Sequence, residues 1–290
     1  MIDKKISVVI PNYNGQELLA KNLPQVINCL RAGDEIIIVD DASTDNSVSW
    51  LEEKFKTKKW SVKIHGQKLN LRLGQVQNSH KNKVVILINY RNLRFAKSCN
   101  RGVDIAKNPL IFLLNSDVSP HENVLQYLLP HFENKKMFAV GCHEIEQNQG
   151  GISGGKNKLW FEKGIFMHAR ASDFSSGETA WASGGSALFD KAKWLYLGGF
   201  DPNFYPAYWE DVDLSYRAKK NNWLVWFESL AVVDHNHEST NSAVFNKTEL
   251  NAVSWKNGIY FTKKHANFWQ KLQFKFWQPY WSWQRNKQHS

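Results

Sequence analysis

The chain is poor in cysteine, in acidic charge and in long apolar runs. It has three cysteines in 290 residues, Cys29, Cys99 and Cys142, and they lie far apart. They form no CxxC pair and no even-numbered framework, which excludes a disulfide scaffold and a structural zinc site. No run approaches the roughly 18 apolar residues that cross a bilayer. The N-terminal MIDKKISVVIPNYNG lacks a signal-peptide layout, so the expectation is a cytoplasmic protein. No GxGxxG follows the first apolar run, which disfavours a dinucleotide-binding oxidoreductase. Residues Gly150–Lys156 (GGISGGK) approach a phosphate-binding loop. However, Asn157 stands where Ser or Thr is needed and no strand of the required type precedes, so this stretch reads as a mobile loop.

Basic residues outnumber acidic ones, 37 Lys and Arg against 27 Asp and Glu, for a net charge of +10. Hydrophobic residues make up 42% of the chain, enough for a real core and too many for disorder. The basic surplus is concentrated in a segment that has no Asp or Glu, from Trp255 to Ser290. Lys256, Lys263, Lys264, Lys271, Lys275, Arg285 and Lys287 lie there, with Trp255, Trp269, Trp277, Trp281 and Trp283. The chain thus divides into a nearly neutral body, 1–245, and a basic, aromatic segment, 246–290. Phe268, Trp269, Leu272, Phe276 and Trp277 recur at helical spacing. That stripe suits a helix packed on the body, or one lying in the headgroup layer of an anionic membrane. A basic aromatic strip also suits nucleic acid, but nothing else in the chain supports that partner.

The body alternates short apolar runs with helical periodicity. Ile6–Ile10, Glu35–Val39, Val84–Ile88, Leu110–Leu114 and Met137–Cys142 read as strands. Gln16–Leu30, with Pro24 as a break, a segment capped by Asp45, Ala96–Ala106 and His121–Phe132 read as helices. Lys58–Lys83 reads as an extended loop or an extra hairpin on the surface. The order predicts an α/β fold with a mostly parallel sheet between helices, and such sheets bind ligands beyond their carboxyl strand ends. Those ends carry Pro11-Asn12-Tyr13, Asp40-Asp41 and Asn115-Ser116-Asp117. Each alone is what a turn requires. Together they set an aromatic ring and several carboxylates along one edge, suited to a base, a ribose and a hard cation. Downstream, Trp181–Phe189 carries Gly184-Gly185-Ser186, and Glu210, Asp211 and Asp213 open a helix after Tyr208 and Trp209. One carboxylate would offset the helix dipole. Three suggest a general base as well. A further run ends in His235 and His237.

The ordered series SVVIPNYNG, IIIVDDASTDNS, NLRFAKSCNRG, LIFLLNSD, WASGGSALF, GGFDPNF–WEDVDLSYR and VVDHNH resembles glycosyltransferase family 2, with its GT-A fold, over residues 5–240. The rhamnosyltransferase-like branch that builds bacterial surface polysaccharides is the most similar. The resemblance implies an inverting, metal-dependent transfer from a nucleotide-diphosphate sugar to a glycan or lipid-linked hydroxyl. It implies that Pro11 and Tyr13 line the nucleoside pocket. Asp40 contacts the base, with Asp41 beside it, and Arg94 reaches base or diphosphate at a position where many relatives have Gly. Asn115-Ser116-Asp117 occupies the DxD site, Asn115 facing ribose or diphosphate. Asp117 and His235 hold Mg²⁺ or Mn²⁺, with His237 as a spare ligand. Gly184, Gly185 and Ser186 border the donor sugar. Asp211 is the base of the Glu210-Asp211 pair. Apart from the resemblance, the expected setting is the cytoplasm, with contact to the inner face of the membrane if the tail lies on lipid and none if it packs on the body. A pyrophosphorylase would need a glycine-rich basic loop after the first strand, and PNYNGQE is not one. A degenerate nucleotide-sugar-binding module is the other alternative.

Overall fold

A computed structural model describes residues 4–64, 67–146, 152–235 and 247–288. Four parallel strands form its centre: β1 (Ile6–Asn12), β2 (Glu35–Asp40), β5 (Lys83–Ile88) and β6 (Leu110–Leu114), in the order β6-β1-β2-β5. Between them in sequence come β3 (Lys58–Ile64) and β4 (Gln67–Gln75). The central strands are buried on both faces, which is why they read as continuous apolar runs. In β1, Ile6, Val8 and Ile10 point into one core while Val9 points into the other, the period of two that a strand imposes. Helices α1 (Gln16–Asn28) and α2 (Ser47–Lys54) supply Leu19, Leu23, Val26 and Leu51 to the first core. Helix α3 (Phe95–Ile105) supplies Ala96, Cys99 and Val103 to the second.

Both flanks of the sheet bring in antiparallel pairs. The segment 58–83 is a hairpin, and its second strand pairs with β5. Alternation in Lys68-Leu69-Asn70-Leu71-Arg72 drives this, burying Leu69 and Leu71 against the sheet. On the other flank lie β7 (Val118–Pro120), β8 (Met137–Glu146), β9 (Ile152–Gly154), β12 (Gly177–Glu178), β13 (Ser186–Asp190) and β14 (Leu224–His235). Of these, β8 and β14 run parallel to each other. A separate ribbon pairs β10 (Asn157–Glu162) with β11 (Ile165–Arg170).

Several local expectations change. His121–Phe132 is not one helix: α4 covers Val124–Leu128 and a 3-10 turn, Leu129–Glu133, follows because Pro130 cannot continue the ladder. Asn46 holds the N-cap position of α2 without a side-chain hydrogen bond, and Asp45 supplies the capping carboxylate: it accepts from Ser47 N at 2.9 Å and also from Gln16 N at 3.1 Å, joining the starts of two helices. Pro24 sits inside α1 without ending it. Part of the expected loop at 150–156 is strand β9, paired with β8. Lys156 is bound to Asp173 at 2.8 Å and Ser175 at 3.0 Å, so it faces no phosphate cradle. Trp181–Gly185 is irregular, and the strand there begins only at Ser186.

Among the described residues three helices follow α5 (Lys191–Tyr196): α6 (Glu210–Lys220), α7 (Lys247–His265) and α8 (Phe268–Gln288). Phe261 of α7 is fully buried in a third cluster with Phe166, Trp181, Phe204, Trp209 and Val212. The start of α8 is a reciprocal cap: Gln270 N donates to Asn267 Oδ1 at 2.9 Å, and Asn267 N donates to Gln270 Oε1 at 3.0 Å. The boundary at 245/246 falls outside the described residues.

Candidate active site

The parallel register fixes the first half of the site. Asn12 of β1 lies opposite Asp40 of β2, and Asp40 opposite Ile88 of β5, so the strands end level with one another. Pro11, Asn12, Tyr13, Asp41, Asn92, Arg94, Phe95, Ser98, Asn115, Ser116 and Asp117 wall one cavity beyond those ends.

Asp40 and Asp41 take different parts in it. Asp40 is fully buried and turned inward, accepting from Asn12 Nδ2 at 3.1 Å, Ser43 N at 3.0 Å and Ser43 Oγ at 2.6 Å. Burial pushes its pKa up, against those hydrogen bonds. Asp40 therefore builds the turn and does not face the cavity, whereas Asp41 does. The carboxylate of Asp41 accepts from Asn89 Nδ2 at 2.7 Å, Leu93 N at 2.8 Å and Arg94 N at 2.8 Å. That grip holds Arg94 at φ 69°, ψ 173°, a backbone region natural to glycine, with its guanidinium 5.9 Å from the Tyr205 ring.

Asn115, Ser116 and Asp117 follow β6. Asn115 N donates to Gly185 O at 2.9 Å, and a Cβ on Gly185 would sit 2.7 Å from Asn115 Nδ2. Only glycine permits that approach. Next to it, Gly184 N donates to Asp211 Oδ2 at 3.1 Å, while Val212 N donates to Asp211 Oδ1 at 2.8 Å. The Gly-Gly turn thus ties the strand-end residues to the carboxylate pair opening α6. Burial raises the Asp211 carboxyl from 3.8 to about 6, despite the Gly184 and Val212 hydrogen bonds. Glu210 is raised further, first by burial and then by the charge of Asp211. Asp213 behaves differently. Burial alone would raise it, but His265 at 2.6 Å, Arg217 at 2.7 Å and Lys264 at 2.8 Å hold it low. It is the structural member of the three, joining α6 to α7.

His235 ends β14 beside Asp117. Its Nε2 lies 3.4 Å from Asp117 Oδ1 and its Nδ1 lies 3.4 Å from Glu144 Oε2. Burial would lower the imidazole pKa, but the two carboxylates raise it to about 10. Glu144 is depressed to about 2: burial opposes this, while His235, Ser186 and Arg170 outweigh it. Ser186 is fully buried and donates its hydroxyl to Glu144, so it supports that carboxylate and does not line the pocket. Glu144 was missed in the sequence because it sits inside a strand with no motif around it. His237 lies outside the described residues.

Asn257 was missed for a similar reason. Tyr208 and Trp209, just before the carboxylate pair, are both left-handed, at φ 75° and 76°. Such backbone persists only when its surroundings hold it. Asn257 of α7, 1% exposed, donates to Ala207 O at 2.8 Å and Tyr208 O at 3.1 Å. A Cβ on its neighbour Gly258 would sit 2.8 Å from the Trp209 ring. A second cleft, lined by Glu144, His168, Arg170, Trp209 and Asp211, opens on this side.

The profile of Glycosyl transferase family 2 matches residues 7–193, more than half of the sequence. The chain belongs to glycosyltransferase family 2. It is 27% identical to the poly(ribitol-phosphate) beta-N-acetylglucosaminyltransferase TarP of Staphylococcus aureus (strain N315), over 59% of this chain and 45% of that one. It is 31% identical to an N-acetylglucosaminyl-diphospho-decaprenol L-rhamnosyltransferase of Mycobacterium tuberculosis, over 33% of this chain and 31% of that one. The chain spans less than half the length of these curated relatives. Among solved structures, S. aureus TarS 1-349 in complex with UDP-GlcNAc aligns with a TM-score of 0.58 at 14% identity, covering 83% of this chain and 61% of that one. GalNAc-T7 with UDP, GalNAc and Mn²⁺ aligns at 0.58 and 15%, covering 81% and 44%. The fold is GT-A. Among the described residues no helix is long and apolar enough to cross a membrane.

Proposed function

We propose that this family member is an inverting transferase, moving a sugar from a nucleotide-diphosphate donor to a hydroxyl of a glycan or lipid-linked acceptor in cell-surface polysaccharide synthesis. The observation that carries this reading is Asp211: a carboxylate held by two backbone N–H groups, raised to about 6, and tied through Gly184 and Gly185 to the strand-end pocket. A base with that pKa is ionised yet still basic near neutral pH.

The base and ribose would lie between Pro11, Tyr13 and Asp41, with Arg94, Asn115 and Ser116 toward the diphosphate. The donor role suggested for Asp40 passes to Asp41, because Asp41 lines the cavity whereas Asp40 is fully buried behind it. Gly184 and Gly185 would border the sugar.

A divalent cation fits the corner between Asp117 and His235. Asp117 Oδ1 is buried with only the His235 ring, 3.4 Å away, beside it, and the two carboxylates that favour a proton on that ring would equally favour a metal cation in the proton's place at Nε2. Among the described residues no cluster of three or more His, Cys, Asp or Glu forms a complete cage. That suits Mg²⁺ or Mn²⁺ bound by one carboxylate and one imidazole, with phosphate oxygens completing the shell. Such an ion supplies charge neutralisation of the leaving diphosphate. Glu144 would hold the His235 ring in place from behind.

In the step itself, Asp211 accepts the proton of the acceptor hydroxyl. The freed oxygen forms a bond to the anomeric carbon from the face opposite the diphosphate. The bond from that carbon to the diphosphate oxygen breaks, and the nucleoside diphosphate carries away its electron pair. Glu210, with its raised pKa, stays protonated beside Asp211 and adds no second negative charge. The test is a panel of UDP-, GDP- and dTDP-sugars with Mn²⁺, read by mass spectrometry of released nucleotide and glycosylated acceptor. Release of a nucleoside diphosphate with one donor is the expected result. Binding of a donor with no transfer or hydrolysis under any condition would favour the degenerate binding module instead.

A further inference from the structure

Helix α8 carries its apolar side chains on the wrong face for a surface helix. Phe268, Trp269, Leu272, Phe276 and Trp283 are 70, 71, 44, 76 and 56% exposed. At 3.6 residues per turn these positions fall within about 100° of the helix circumference. The opposite face is fixed to the body. Trp281 Nε1 donates to Lys163 O at 2.7 Å, Trp281 packs on Trp255 at 5.2 Å, and the Phe274 backbone passes over Gly164, where a Cβ would meet it at 2.8 Å. The outward stripe is therefore held in one orientation along a helix of 21 residues, about 30 Å. Lys271 and Lys275 are exposed along one border of it.

We propose that this stripe is a docking surface for an anionic lipid bilayer, on which the enzyme lies without crossing it. Charge complementarity selects that occupant. Helix α8 itself has four Lys and Arg, Lys271, Lys275, Arg285 and Lys287, and no Asp or Glu, whereas Lys264 before it is taken up by Asp201 and Asp213. A second copy of the same chain would bring cation against cation. Trp and Phe favour the headgroup boundary, and each Lys near an anionic surface adds roughly a fivefold gain in partitioning. None of the stripe's side chains lines the cavity of Asp117 or the cleft of Asp211, so the inference does not depend on the transfer chemistry.

The test uses the full chain and vesicles of phosphatidylglycerol and phosphatidylcholine, or of phosphatidylcholine alone, read by co-sedimentation and tryptophan emission. Wild type should bind the anionic vesicles at least about tenfold more strongly than the neutral ones, with a blue shift in emission and weakening in high salt. Trp269→Ser/Phe276→Ser and Lys271→Glu/Lys275→Glu should each reduce that binding about tenfold or more. Both should keep the wild-type Tm, because these side chains support no core. Equal binding by wild type and both variants, or no vesicle binding at all, would overturn the proposal. So would a dimer in sedimentation velocity that the aromatic variant dissolves, or stronger binding to a single-stranded oligonucleotide than to the anionic vesicles.

Discussion

Pro11, Asp41 and Asn115 stand where parallel strands end side by side, whereas Glu210 and Asp211 stand on a helix entered through two consecutive left-handed residues. The first wall follows from local rules: apolar runs pair in register, and whatever follows each run arrives at one edge. The second is imposed from a distance. Asn257, about fifty residues downstream, grips the turn before Glu210, and Gly184, 27 residues upstream, grips Asp211. The proposed nucleotide side is thus set by the sheet and the proposed transfer side by contacts between segments far apart in sequence. Damage should sort accordingly: binding lost on one side, turnover on the other.

The largest expected effect is on the transfer side. Asp211→Asn should lower turnover by about a thousandfold, within the usual range for a general base, while nucleotide-induced thermal shifts stay near wild type. Loss of both would mean that the two walls are not separable. Asp117→Ala should act on binding first, removing the Mn²⁺-dependent part of the nucleotide thermal shift, and about a hundredfold or more in rate should follow from the lost counter-charge on the leaving diphosphate. An unchanged response to Mn²⁺ would move the cation elsewhere.

The pH dependence separates the chemistry of Asp211 from its cost to stability. The base works ionised, so turnover should fall as pH drops through about 6. Its effect on stability has the opposite sense. A carboxyl raised from 3.8 unfolded to about 6 folded favours the native state below 3.8, and that contribution disappears as pH rises through 6. Asp211→Asn lacks this loss, so its Tm relative to wild type should climb between pH 4 and pH 7. A constant difference would show that the carboxyl is not shifted.

Asn257→Leu probes the clamp with little change in volume. It should lower kcat about tenfold and leave the donor KM in place, because the strained turn is released without touching the strand ends. An equal rise in donor KM would make Asn257 a general packing residue. The smallest effect belongs to Arg94→Gly. Relief of the φ 69° backbone should stabilise the fold by about 1 kcal/mol, read as a Tm increase, while nucleotide affinity weakens. No gain in Tm would mean that the Arg94–Tyr205 contact offsets the strain.

The family was legible because its motifs sit at strand ends, where sequence order and spatial order coincide. Pro11, Tyr13, Asn115 and Asp117 were legible that way, and they line one cavity; Asp211 was legible instead from the carboxylates crowded at a helix start. The choice between Asp40 and Asp41 was not legible: adjacent residues point to opposite sides of a strand end, and only the hydrogen bonds of Asn12 and Ser43 reveal which faces the cavity. Ser186 likewise looked like part of a glycine-rich border and proved to serve Glu144. The Lys58–Lys83 segment could be seen as a hairpin, but not as an extension of the main sheet.

Sequence alone determined the alternation of strands and helices, the family, and the concentration of basic and aromatic residues near the C-terminus. Each depends on neighbours within one element or on composition, and periodicity records both. Tertiary structure decided which carboxylate turns toward the ligand, that Glu144 backs His235, that Asn257 holds the turn before Asp211, and that α8 faces its aromatics outward. Those are contacts between residues tens to more than a hundred positions apart. No local pattern encodes them, because burial and hydrogen-bond partners exist only once the chain has closed on itself.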